Sequence, residues 1–149
     1  MASRIVRPET VKLDISNGDW LLVKKRLNAG EQRAMFARMY QAGADGSLRA
    51  NPFEVGVAKI LAYVLDWSMT DLAGKQIAIM GQPASLVLAA LDSFDGDTFA
   101  EIRNAIDEHI DSVTAERNAE KNDQAGETRS VAISPSRSAA DGQSMSSVN

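Results

Sequence analysis

Few residues of this 149-residue chain have the types and spacing that chemistry needs. His109 is its sole histidine and it has no cysteine. A multi-histidine metal site, thiolate ligands and a cysteine nucleophile are therefore excluded. A Ser-His-Asp triad needs its serine presented on a sharp turn, and no Gly-x-Ser-x-Gly occurs. Gly74-Lys75 falls short of a phosphate-binding loop, because the earlier glycine position holds Met69 and the next residue is Gln76 instead of Ser or Thr. Asp92, Asp95, Asp97 and Glu101 form the densest acidic cluster. Their spacing does not follow a calcium loop, and acidic residues near a helix start are already accounted for by the helix dipole. His109 lies at the edge of an apolar helical stripe, which assigns it a structural role. The expectation is a protein that is not an enzyme and has no catalytic residue, cofactor site or metal site. One set remains whose chemistry is recognition: Met35, Phe36, Met39 and Tyr40 share a broad helical face. Flexible thioethers beside aromatic rings make either an adaptable binding surface or ordinary core.

Composition sets the frame for these residues. A hydrophobic share of 44% and a charged share of 24% are those of a globular protein, and an aromatic share of 5% is poor in the stacked rings that hold single-stranded nucleic acid. Residues 1–60 carry 10 Lys or Arg against 6 Asp or Glu, and residues 61–149 carry 6 against 14, so the two parts hold +4 and −8. Solvated faces explain this asymmetry, and salt-sensitive attraction between opposite ends of neighbouring copies is the other reading. The basic residues stand singly except at Lys24-Lys25-Arg26, whereas a nucleic-acid site clusters them. No apolar run is long enough for a membrane span or a signal peptide, which leads to an expected place in the cytoplasm.

The elements that must position the candidate face can be read in order. Val11, Leu13 and Ile15 alternate with Lys12 and Asp14, Asn17-Gly18-Asp19 is a hairpin turn, and Trp20 to Lys24 is the returning strand. Such a hairpin is marginal alone and must lie on helices or pair with another edge. Trp20 is its anchor, or else an exposed partner contact. Asn28 and Glu31 form a capping box, so a helix starts near Ala29, ends at Gly43 and is followed by a loop to Pro52. Phe53 to Leu65 is apolar nearly all round, a core helix with Phe53, Val57, Ile60, Leu61 and Val64 on one face. After it come a turn-rich segment, a short strand within Lys75 to Met80, and a short helix around Leu86 to Leu91. A last helix carries Phe99, Ile102, Ile106, Ile110 and Val113 in one stripe, with Arg103 placed to pair with Asp107. The expected fold is mainly α (α+β): a small N-terminal β-hairpin packed on a bundle of about four helices. Residues 1–8 form a flexible N-terminus, 9–121 a single domain, and 122–149 a disordered Ser/Ala/Gly-rich tail.

Two stretches together resemble a known family. Trp20-Leu21-Leu22-Val23-Lys24-Lys25-Arg26-Leu27-Asn28-Ala29-Gly30-Glu31, preceded by Asn17-Gly18-Asp19, is similar to the opening motif of tail assembly chaperones of long-tailed, siphovirus-like bacteriophages. Leu65-Asp66-Trp67-Ser68-Met69-Thr70-Asp71, followed by Gly74-Lys75-Gln76-Ile77, resembles the pattern after their central helix, with Gln76 in place of the usual proline. The resemblance spans residues 9–113 in the same order of elements. It implies a protein of the host cell cytoplasm that binds the tape measure protein and keeps it soluble until tail tube subunits assemble, and that is absent from the mature virion. The tail tube protein is a further partner it suggests, together with self-association along the client. The alternative is a permanent small structural subunit of a phage virion, in the tail or the head-tail connector. On the chaperone reading, Met35, Phe36, Met39 and Tyr40 contact the client, while Trp20 and Trp67 are structural anchors.

Overall fold

The computed structural model describes residues 3–129, with side chains as far as residue 123. The chain divides into two units, residues 1–113 and 114–149. From residue 3 the chain is exposed and irregular through residue 9 and then enters strand β1, Thr10–Asp14. A turn with Asn17 at φ 59° and Gly18 at φ 78° reverses the chain into β2, Trp20–Lys24. Asn and Gly are the residues that accept this left-handed backbone most readily, so the turn forms where the Asn-Gly pair places it.

Helix α1, Ala29–Met39, begins with the expected capping box, in which Asn28 accepts from the Glu31 amide and Glu31 accepts from the Asn28 amide. The chain then forms a second small hairpin, β3 at Tyr40–Ala42, where the helix was expected to continue to Gly43, and β4 at Leu48–Ala50, where a plain loop was expected. Its turn explains the difference. Gly46 takes φ +82°, its amide reaches Gly43 O at 3.0 Å, and the Gly43 amide reaches Ser47 O at 2.7 Å. Asp45 Oδ1 meanwhile accepts from the Ser47 amide and hydroxyl, a local pattern that reverses the chain tightly.

Helix α2, Pro52–Tyr63, starts with Asn51 accepting from the Phe53 amide and with Pro52 in the first turn, where its missing N–H costs nothing. From Glu54 to Tyr63 no residue is exposed, which fits the apolar circumference. Phe53 departs from expectation: it is 86% exposed, although its spacing matches the buried line through Val57 and Ile60. Helical side chains lean toward the N-terminus, so a first-turn residue lies over space before the helix, and there the ring meets solvent.

A second correction follows at once, because Val64 and Leu65 are not helical. They open β5, Val64–Trp67, which pairs antiparallel with β2 and completes the order β1-β2-β5. The register runs Leu21↔Trp67, Leu22↔Asp66 and Val23↔Val64, leaving Leu65 as an extra residue in an irregular step. The hairpin's open edge offered a ladder that one more helical turn could not match. The expected hairpin is thus both paired at a further edge and packed on helices.

Only a single bridge, Thr70↔Gln76, occurs where a short strand was expected in Lys75 to Met80. The segment is held by other bonds: the Ile77 amide to Met69 O at 2.8 Å, Trp67 Nε1 to Ile77 O at 2.9 Å, and Gln76 Nε2 to Trp67 O. Helix α3, Ala84–Ser93, and helix α4, Gly96–Arg129, follow, the latter capped by Asp95 accepting from the Thr98 amide at 2.7 Å. The Thr98 amide and hydroxyl hold the Asp95 carboxyl below the usual carboxylate range. Among the described residues there are four α-helices, and the fold is mainly helical with a small antiparallel sheet, as expected. Helix α4 is described to Arg129, inside the stretch 122–149 expected to be disordered; residues 130–149 of that stretch lie outside the described residues.

The core gathers Leu21 and Val23 from β2, Ile60 and Tyr63 from α2, Trp67, Val87 and Leu91 from α3, and Ile102 and Ile106 from α4. Trp67 is 0% exposed and meets Phe94 edge-on at a 5.3 Å ring separation. Asp107 pairs across helices with Lys59 at 2.7 Å, in place of the expected intrahelical pair with Arg103. The Arg103 stem lies instead over Gly56, where an added Cβ would come within 3.0 Å of its Cδ. His109 is buried, and its Nε2 donates to the carbonyls of Lys24 and Lys25 at 3.0 and 3.2 Å. Two carbonyl acceptors put the proton on Nε2, so this histidine ties α4 to the end of β2.

Removing the Trp67 ring empties the centre of this core and deprives the Ile77 carbonyl of its donor. Trp67→Ala should lower unfolding stability by about 3–5 kcal/mol, measured by urea titration followed by far-UV circular dichroism. A loss below about 1 kcal/mol would contradict the described packing.

Candidate interaction surface

The four residues expected to form one recognition face fall on two adjacent lines of α1. Met35 and Met39, one turn apart, face inward: Met35 packs against the core and Met39 is 6% exposed. Phe36 and Tyr40, also one turn apart, face outward at 48% and 44% exposed, with ring centroids 6.4 Å apart. Successive positions differ by about 100° on a helix, so a broad sequence face straddles the waterline. Methionine supplies the core side of that line and the aromatic rings supply the solvent side.

Tyr40 is no longer helical but begins β3, and the hairpin register extends the apolar surface beyond it. Tyr40 opposes Ala50, Gln41 opposes Arg49 and Ala42 opposes Leu48. Alternation puts Tyr40, Ala42, Leu48 and Ala50 on one face and Gln41 and Arg49 on the other. Leu48 is 73% exposed, which makes it the least covered large side chain of that face. The result is a solvent-facing aromatic and aliphatic strip, Phe36, Tyr40 and Leu48. Sequence reasoning missed Leu48. The signal was present in Tyr40-Gln41-Ala42 and Leu48-Arg49-Ala50, two apolar-polar-apolar triplets around an Asp45-Gly46 turn.

Several bonds position this strip. The Asn51 amide donates to Met39 O at 2.8 Å, closing the hairpin onto the end of α1, and Arg38 approaches Glu54 at 3.9 Å on α2. At the other end of α1, Glu31 bonds the Lys24 ammonium on β2 as well as its own cap. Partial burial pushes the Glu31 carboxyl up, but the Asn28 amide and the Lys24 ammonium outweigh it and hold the group below its ordinary value. In the hairpin turn, the Ser47 hydroxyl and amide likewise hold Asp45 below the usual carboxylate range. Tyr63, beneath α1, is pushed up by burial and by the nearby Glu31 charge.

The two tryptophans differ. Trp67 is an anchor by full burial, whereas Trp20 is half-buried, with the Lys12 ammonium 5.7 Å from its ring centroid. The main chain of Trp20 is nonetheless tightly held. Its amide donates to Ser68 Oγ at 2.9 Å, its carbonyl accepts from the Ser68 amide at 3.1 Å, and Ser68 Oγ donates to Asp19 at 2.8 Å. The two sequence stretches that carry the family resemblance therefore meet at Asp19, Trp20 and Ser68.

Elsewhere, the acidic residues expected to cap a helix do not converge on a metal-binding geometry. Asp95 caps α4, and Asp97 and Glu101 line a shallow depression of about 400 Å³ with Asp14, Ile15 and Glu108. No group of three or more His, Cys, Asp or Glu able to hold a metal ion occurs among the described residues. No helix among them is long and apolar enough to cross a membrane. Compared with known proteins, the chain matches no family model, no curated protein and no solved structure.

Two experiments separate holding the strip from being the strip. Phe36→Ala and Tyr40→Ala should each change stability by less than about 1 kcal/mol in urea titration, whereas Met39→Ala should cost about 2–5 kcal/mol. The ionised Glu31 stabilises the fold above its unfolded value near 4.5, and this contribution disappears as pH falls through the lower folded value. Glu31→Gln should therefore be less stable than the parent by about 1 kcal/mol at pH 7. The gap should narrow as the pH is lowered below 4.5 and close once the folded group is protonated, followed by thermal melts across pH.

Proposed function

We propose that this protein is a tail assembly chaperone of a long-tailed bacteriophage, acting in the host cytoplasm by binding the tape measure protein and keeping it soluble during tail tube assembly. The observation that carries this reading is the exposed strip of Phe36 on α1, Tyr40 on β3 and Leu48 on β4, beside Met35 and Met39, which α1 turns to the core. A long helical client exposes apolar stripes to water before tube subunits surround it, and aromatic side chains on a fixed helix–hairpin unit can cover them. The resemblance to the chaperone family supplies the client's identity. Support comes also from the way its two stretches, residues 17–31 and 65–77, join through Ser68 into one structural unit. On this reading the protein acts by binding, and its sole histidine serves the fold by bonding backbone carbonyls.

Co-expression with the tape measure protein tests this directly. Soluble client should rise, and a tagged client should retain this chain on affinity resin. Phe36→Asp combined with Leu48→Asp should abolish that retention while the variant keeps its circular dichroism spectrum. If the parent chain neither solubilises nor retains the client, the reading fails. Mass spectrometry of purified virions should find no copies, and stoichiometric copies would instead identify a permanent tail or connector subunit.

A further inference from the structure

We draw no further inference here: the strongest candidate, the depression between the β1–β2 turn and α4 lined by Asp14, Asp97, Glu101 and Glu108, is a cluster of carboxylates with nothing in the structure to show what it would hold.

Discussion

The pairing of β2 with β5 is the constraint on which the rest of this fold depends. It takes a local hairpin that could not survive alone and gives it a third strand, while placing Leu21 opposite Trp67 at the centre of the core. Trp67 is then fixed twice, by packing against Phe94 and by donating its indole N–H to Ile77 O. That hydrogen bond matters because a buried indole N–H left without an acceptor would cost about 1–3 kcal/mol. The acceptor comes from a segment with little secondary structure of its own, held by a turn in which Asp71 Oδ1 accepts from the Ala73 and Lys75 amides and by Ile79, buried in the core. Gln76 completes the arrangement by donating to Trp67 O, a bond that proline at this position could not make.

Around this centre the polar residues act mainly as connectors. Ser68 links the turn before β2 to the strand beside it, Lys59 and Asp107 join α2 to α4, and His109 fastens α4 to the last carbonyls of β2. Each sits where two elements meet, and each is satisfied locally. The proposed recognition surface differs in kind. Phe36 stands out from a helix whose Met35 and Met39 face the core, and Tyr40 and Leu48 stand out from an exposed hairpin tied to the end of that helix by the Asn51 amide on Met39 O, so the strip is uncovered. Rigid aromatic side chains lose little conformational freedom on contact, which favours binding through few residues.

What could be read from the sequence followed from local chemistry. Asn17-Gly18, Asn28 with Glu31, and Pro52 each dictate a turn or helix start through bonds within a few residues, and each appears where it was read. The stripe through Ile102 and Ile106 was legible for the same reason, since periodicity records burial. Failures occurred where distant chain decides. Val64 and Leu65 have the right spacing to extend α2, yet an unpaired strand edge forty residues earlier in the chain claims them. Phe53 fits an apolar line but falls beyond what that line packs against. The candidate face was found by residue type and read as one, because sequence cannot say which of two adjacent helical lines meets the core. Leu48 escaped altogether, as three-residue strands carry too little periodicity to compete with a turn-rich context.

The small hairpin at Gly43 to Ser47 has a consequence for how this fold could vary. Since β2 and β5 fix both ends of the chain between them, the β3–β4 turn is the tip of an excursion that leaves and returns to the same sheet. Closure entropy grows only logarithmically with the length of such an excursion, by about 0.6 kcal/mol for each doubling. Lengthening the tip beyond the Ala42↔Leu48 pair would therefore leave the core almost untouched while extending the hairpin past Leu48. The fold can accommodate changes in reach at the one place where reach would alter what it touches.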